Sequence, residues 1–390
     1  MVAKATVLTL VGAYLPGYKW GGPVRTLANL VDRLGEEFRF RIITSDRDML
    51  DRGPYGGVMV DAWNRVGNAD VYYASPAALA FQRLSKLITD TPHDVLYLNS
   101  FFHAVFATQP LVARRLGQLR RAPVVLAPRG EFSAEALKLK RWKKTLYVKV
   151  GTPFGLFRDL VWQASSDLEA EHIRRRLGSV AKRVVVAPNV PRGISGVSVP
   201  AQARRPGGVL RLVFLSRIAP MKNLHFALQV LGKVRVPVEF NIYGPVEDAG
   251  YWHRCQRLMD ELPGNVNVTY GAEVRPADVG DVLQAHDLFF LPTLGENYGH
   301  VIAEALAAGT PVLISDATAW RDLEEAGVGW DLPLDDQDHF ARCIEHCARL
   351  EEGKFAAWRE RVWAYGADRM RDPWAIEANR SLFEQAIARA

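Results

Sequence analysis

The stretch Asp287-Leu288-Phe289-Phe290-Leu291-Pro292-Thr293-Leu294-Gly295-Glu296-Asn297-Tyr298-Gly299-His300-Val301-Ile302-Ala303-Glu304 decides how the chain is read. Asp287 to Leu291 is a short apolar run bounded by turn-forming residues, the pattern of a buried strand. Gly299 to Ala308 predicts a helix, and Pro311 to Ile314 predicts the next strand. Strand, loop, helix and strand in that order belong to a parallel sheet. Glu296 and Glu304 lie around the helix start, where two carboxylates can accept hydrogen bonds from the hydroxyls of a polyhydroxylated ligand. Gly295 and Gly299 permit close backbone approach.

The same alternation extends in both directions. Strands are expected at Ala5 to Val11, Arg39 to Thr44, Asp94 to Leu98, Pro123 to Ala127, Leu160 to Gln163 and Val184 to Ala187. Helices are expected at Val24 to Leu34, Pro76 to Ile88 and Phe132 to Val150. The Pro- and Gly-rich stretch Asn189 to Gly208 reads as a connection. A second series follows, with strands at Leu210 to Leu215, Val238 to Tyr243 and Val266 to Tyr270, and helices at Asn223 to Gly232, Tyr251 to Glu261 and Pro276 to Gln284. From Phe340 the chain reads as helical, interrupted at Asp372-Pro373. The expected fold is α/β, with two Rossmann-like domains facing a central cleft and ligand loops beyond the carboxyl ends of the strands. Residues 1–195 form the first domain, residues 196–372 the second, and residues 373–390 a final helix returning toward the first.

A length of 390 residues favours two cores over one, and a hydrophobic fraction of 48% excludes a disordered chain. The formal charge of +6 admits phosphate, nucleic acid or anionic lipid without choosing among them. Cys255, Cys343 and Cys347 make no disulfide framework, which favours a reduced cytoplasmic setting. Ala5 to Leu15 reads as a first strand rather than a signal peptide, and no apolar run has the length of a membrane span. No metal site is expected. Asp46-Arg47-Asp48 follows an early strand, and Cys343, His346 and Cys347 share a helix face that suits packing.

Glu296 and Glu304, separated by seven residues, join Gly21-Gly22 near the start and Ser216-Arg217 through Lys222-Asn223 in the second half. In that order these features resemble the retaining GT-B glycosyltransferases of glycosyltransferase family 4, and the resemblance spans nearly the whole chain. It implies transfer of a sugar from a UDP- or GDP-linked donor to a hydroxyl, without a cofactor. It places Glu296 on the donor sugar, Glu304 on the nucleotide ribose, and Arg217 and Lys222 on the diphosphate, where they stabilise the leaving group. Arg217, Lys222 and Glu296 are thus the catalytic candidates. Asn297, Tyr298, Gly299 and His300 offer backbone amides at the helix start, and Gly21, Gly22 and Gly244 border the donor. The resemblance also implies retention, with the departing phosphate taking the acceptor proton and no protein nucleophile. Domain closure can complete such a site and exclude water.

The first domain is expected to choose the acceptor. Many relatives carry Pro-His-Gly where this chain has Pro128-Arg129-Gly130-Glu131, a form shared by a subgroup. Arg129, Glu131 and His103 are the acceptor candidates. The stretch Lys138, Lys140, Arg141, Lys143, Lys144 and Lys149 is interrupted by Trp142, Leu146, Tyr147 and Val148. It reads either as a helix resting on an anionic membrane or as a solvated basic face packed through its apolar side. The expected partners are a nucleotide sugar, a glycan or polyprenyl-diphosphate-linked saccharide, and an anionic membrane surface. Nucleic acid is not expected, because the basic stretch lacks a recognisable module. These readings suggest a cytoplasmic enzyme, peripheral on the inner face of the membrane, making cell-surface polysaccharide or lipopolysaccharide. A nucleotide-sugar isomerase or epimerase and an inactive sugar-nucleotide-binding protein are the alternatives.

Overall fold

The computed structural model describes residues 4–49, 51–133, 136–137, 141–192 and 208–389. Lys138 and Lys140, parts of the expected helix from Phe132, and most of the Asn189 to Gly208 connection lie outside the described residues. The chain divides into two units, Met1–Pro191 with Pro373–Ala390, and Arg192–Asp372.

The first unit contains a sheet of β1 (Thr6–Leu10), β2 (Arg39–Ser45), β3 (Trp63–Val66), β4 (Ala69–Ala74), β5 (Val95–Asn99), β6 (Val124–Ala127), β7 (Leu160–Ala164) and β8 (Arg183–Val186). Their spatial order is β3-β4-β2-β1-β5-β6-β7-β8. All pairings are parallel except β3 with β4. β5, β6 and β7 are buried along their whole length, as strands covered on both faces must be. Sequence reasoning passes over β3 and β4, although Gly67-Asn68 between them is a two-residue hairpin turn with Gly67 at φ +53°. The connection order reverses between β1 and β5, leaving a crevice at their carboxyl ends.

The second unit holds a six-stranded parallel sheet of β9 (Leu210–Leu215), β10 (Val238–Tyr243), β11 (Val266–Tyr270), β12 (Leu288–Leu291), β13 (Val312–Ser315) and β14 (Gly329–Leu332). The order is β11-β10-β9-β12-β13-β14, so its reversal falls between β9 and β12. Expected and observed bounds coincide for β9, β10 and β11. β12 begins one residue after Asp287, whose fully buried carboxylate pairs with Arg211 on β9 at 3.1 Å. That pair anchors the amino end of the central strands, away from the crevice. β14 is an edge strand of four residues that periodicity does not reveal.

The carboxyl-terminal segment breaks at Asp372-Pro373 and continues as the Trp374–Ile387 helix within the first unit. Phe383 is fully buried, and its ring meets Phe38, Phe40 and Tyr97 edge-on. Asn379 accepts from Gln163 at 3.0 Å and donates to the Pro188 carbonyl at 2.7 Å, so the helix closes the buried polar interior of the sheet. Removing a buried aromatic leaves a cavity that the surroundings fill only in part. Phe383→Ala is therefore expected to lower the free energy of unfolding by about 3–5 kcal/mol in a denaturant titration.

Candidate functional site

In the second unit, functional side chains gather where β9 and β12 end. The Met221 carbonyl accepts from the Leu294 amide at 2.9 Å and the Thr293 hydroxyl at 3.0 Å, stitching the two strand-end loops together. The stitch places Lys222 beside Glu296, and the two form a direct ion pair. Lys222 is buried at 8% exposure, so an opposite charge within reach is a physical necessity. Its ammonium has three donors, and one pairing with Glu296 leaves two directions available.

Arg217 also follows β9. Its Nη1 donates to Glu247 at 2.6 Å. Sequence reasoning misses Glu247, because the pair depends on β9 and β10 lying side by side rather than on local spacing. Ile218 and Val246 form a parallel bridge that brings the two strand-end loops together. Gly244 makes this approach feasible. Its φ is +135°, and a Cβ there would lie 1.9 Å from the Ser216 carbonyl oxygen. The glycine is required both for torsion and for space.

The Glu296 amide donates to the Ala317 carbonyl at 3.0 Å, anchoring the loop that leads to the His300–Ala307 helix. Gly299 precedes the helix at φ +75°, in the left-handed region. The Tyr298 and His300 rings meet at a tilt of 58° with centroids 4.7 Å apart, and the Tyr298 carbonyl accepts from Trp320 Nε1 at 2.6 Å. Burial, with a smaller contribution from Glu304, pushes the Tyr298 phenol up to about 12. Glu304 lies in the second turn of this helix, half-buried. Asn297 stands in the loop between Glu296 and the helix.

The first unit has its own cluster at the ends of β1, β5 and β6. Ser100 at φ +102° and Arg129 at φ +56° are both in a region that non-glycine residues seldom occupy. Each is held there by side-chain bonds across the strand ends. Glu131 accepts from Ser100 Oγ at 2.7 Å and from the amides of Phe101 at 2.6 Å and Phe102 at 3.1 Å. Desolvation pushes its carboxyl above the usual range, against the opposing pull of those donors. Both oxygens therefore shape the 100–102 turn. Arg129 bonds the Asn99 side-chain oxygen through Nε at 3.2 Å and Nη2 at 2.7 Å, and also bonds Asn189 and Tyr97. All these acceptors are neutral. The Asn99 Nδ2 is buried without a hydrogen-bond partner.

His103 follows the same turn. Its Nδ1 faces the Phe106 amide at 3.3 Å, which leaves the proton on Nε2. A Cβ on Gly12 would lie 3.1 Å from that Nε2, so the imidazole covers the end of β1 at the sheet's reversal point. Gly21 has φ +64°, and the space where its Cβ would stand is open. It introduces the Gly22–Leu34 helix, of which Gly22 is the first residue. Asp48, from the early Asp-x-Asp stretch, accepts from the Tyr18 amide at 2.7 Å and the Lys19 amide at 3.0 Å, fixing the loop before Gly21.

Burial lowers the His103 pKa from 6.5 and favours the neutral ring. A folded-state value depressed below the unfolded one contributes stability that is fully present above the unfolded pKa and is lost as pH falls through the folded one. Between about pH 7 and about pH 5, wild-type stability is expected to decline more steeply than that of His103→Gln. Urea midpoints across this range check the difference, and parallel curves would exclude a half-buried, neutral His103.

Two family models match the chain: "Glycosyl transferase 4-like domain" over residues 21–190 and "Glycosyl transferases group 1" over residues 199–361. The phosphatidyl-myo-inositol mannosyltransferase of Mycobacterium leprae is 29% identical over 227 residues, covering 56% of this chain and 57% of that protein. The chain thus spans little more than half the length of this curated relative. The solved structure of Anabaena HepE with UDP and glucose superposes with a TM-score of 0.70 at 16% identity, covering 98% of this chain and 100% of that one. WaaG, a glycosyltransferase involved in lipopolysaccharide biosynthesis, gives a TM-score of 0.63 at 15% identity, covering 98% of each chain. Two sheets, parallel but for the β3–β4 pair, whose reversal points carry the charged residues, two adjoining family models and these full-length superpositions agree: the chain has the GT-B fold and belongs to glycosyltransferase family 4, the glycosyl transferases group 1.

Proposed function

We propose that the protein transfers a sugar, with retention, from a UDP- or GDP-linked donor to a hydroxyl of a glycan or polyprenyl-diphosphate-linked saccharide in cell-surface polysaccharide or lipopolysaccharide synthesis. The Lys222–Glu296 pair at the β9–β12 reversal point carries this reading. A buried ammonium with two uncommitted donor directions suits phosphate oxygens, while the adjacent carboxylate suits sugar hydroxyls. The sequence similarity to a mannosyltransferase acting on phosphatidyl-myo-inositol supports a lipid-linked acceptor, and the fold shared with WaaG is compatible with a cell-surface product.

In this reading, residues 196–372 bind the donor and residues 1–195 bind the acceptor at the cytoplasmic face of a membrane. Lys222 and Arg217 take the diphosphate, Glu296 orients the sugar, and Glu304 holds the ribose. Gly244 and the backbone of Asn297 to His300 border the donor, with Gly21 and Gly22 approaching its phosphates or sugar. The acceptor oxygen bonds to the anomeric carbon on the face that the phosphate leaves. The carbon–oxygen bond to the diphosphate breaks, and the departing phosphate oxygen takes the acceptor proton. Charge grows on the leaving group during this step, where the two cations are most effective. Arg129 adds a cation bonded only to neutral acceptors, and Asn99 adds an unused donor, which together fit an acceptor phosphate. Glu131 positions the turn that presents His103, whose Nε2–H can donate to an acceptor oxygen.

A panel of nucleotide sugars incubated with extracted lipids and soluble saccharides tests the proposal through product mass and anomeric configuration. Acceptor-dependent addition with retention is the expected result. Acceptor-independent conversion of the donor would instead identify an isomerase or epimerase, and binding without chemistry across the panel would identify a binding protein. Lys222→Ala is expected to raise the donor KM by about tenfold or more and to lower kcat, as befits a charge-assisted phosphate contact. Glu296→Ala should lower kcat about 100-fold while retaining nucleoside-diphosphate affinity. Unchanged kinetics in both variants would reject the site.

Glu247 offers a separate check, because donor phosphates and Glu247 compete for Arg217. Glu247→Gln is expected to tighten nucleoside-diphosphate binding about fivefold in calorimetry, and the gain should vanish in the Arg217→Ala background.

A further inference from the structure

The Arg141–Gly151 helix has two apolar faces, and among the described residues only one is packed. On the inner side, the Tyr147 ring meets Phe101, Phe102 and Phe157. Gly151 lies against Phe157, whose ring occupies the space a Cβ would need. Thr145 on the same helix accepts from Arg176 at 3.1 Å. On the outer side stand Trp142 at 68% exposure, Leu146 at 52% and Val150 at 45%, followed beyond the helix by Phe154 at 66%. The three helical residues are four positions apart and form one stripe. At roughly 100° per residue, Lys143 and Lys149 fall on opposite edges of that stripe, and both are exposed. Arg115 donates to the Phe154 carbonyl at 2.7 Å, extending the surface toward Leu116, which is 63% exposed.

The surrounding charge is concentrated on this part of the chain. Residues 109–158 hold twelve Lys and Arg but two Asp and Glu, whereas the whole chain has 49 and 43. The rest of the chain is therefore net acidic.

We propose that Trp142, Leu146, Val150 and Phe154 form a ridge that inserts into the interface of an anionic bilayer, with Lys143 and Lys149 on its headgroups. The inference deepens the lipid-linked-acceptor reading by defining how the membrane is engaged, though its physical basis is independent of sugar transfer. An apolar centre edged by lysines matches acyl chains below and anionic headgroups around them, and lysine stems reach from one to the other. A second copy of this chain would bring like-charged surfaces together. A nucleic-acid backbone would leave the apolar centre unmatched. No described helix is long and apolar enough to cross a membrane, so engagement through this ridge is interfacial.

Co-flotation of the full chain with phosphatidylcholine vesicles, with or without half phosphatidylglycerol, tests the ridge without a sugar substrate. Binding is expected only to the anionic vesicles and should weaken with salt. Trp142→Ala/Phe154→Ala is expected to reduce partitioning about tenfold. Lys143→Gln/Lys149→Gln should reduce it by roughly tenfold or more, through the loss of two headgroup contacts. Donor affinity should remain at the wild-type value in both variants, showing intact folding. Absence of vesicle binding, equal binding to neutral vesicles, or no effect of the aromatic pair would overturn the proposal. So would self-association abolished by the aromatic variant in sedimentation, or nucleic-acid binding in place of vesicle binding. Failure here leaves sugar transfer standing, whereas failure of the donor panel leaves vesicle binding standing.

Discussion

A buried ammonium has to be neutralised, and Lys222 is neutralised by Glu296. This constraint organises the second unit. β9 and β12 must be neighbours at the sheet's reversal point, and their following loops must be joined closely enough for the pair to meet. Met221 accepting from Thr293 and Leu294 provides that joint. The Arg211–Asp287 pair fixes the opposite ends of the same two strands. The central strands are thus bounded by ion pairs of different character. One is built into the sheet's amino edge, while the other stands where α/β sheets receive ligands.

The first unit uses charge in the opposite arrangement. Its acidic group, Glu131, is turned toward backbone amides, while its basic group, Arg129, is fixed by neutral oxygens. The two side chains hold strained residues at adjacent strand ends. Tyr97 passes the constraint to Gln163, which reaches Asn379 on the carboxyl-terminal helix. The strand-end loop that carries Arg129 is consequently fastened to the interior by a continuous polar network. The buried Glu169 carboxylate joins this network by accepting from the Gly130 amide at 2.5 Å, beside Arg129.

The legible parts of the fold were those encoded by local sequence. β9 is a mostly apolar stretch, β10 and β11 alternate apolar with polar residues, and Glu296 lies in the loop after β12. Gly67-Asn68 contained a readable hairpin signal, but the short strands on either side lacked a strong apolar pattern. Glu247 was illegible for a different reason: it meets Arg217 only because β9 and β10 lie side by side. Glu131 was legible as a functional-loop residue, yet the direction of its carboxylate depends on amides contributed by another strand end. In the Arg141–Gly151 helix, sequence shows basic and apolar residues but cannot select which apolar arc meets the core. Tyr147 packs inward, leaving the Trp142 stripe outside.

The two cations at the proposed donor site differ in what a diphosphate must do to reach them. Lys222 can keep Glu296 and still direct other N–H groups toward phosphate, because an ammonium donates in three directions. Glu296 can therefore remain in place for the sugar. Arg217 is more exposed, and its Nη1 is occupied by Glu247, whose side chain is 37% exposed. Solvent access lets this carboxylate withdraw as the phosphate approaches, and lets it return when the nucleotide leaves. One ion pair is consequently suited to permanence and the other to exchange. The distinction follows from burial and donor count: both pairs are salt bridges, yet only the exposed one can serve as a replaceable counterion without stranding a buried charge.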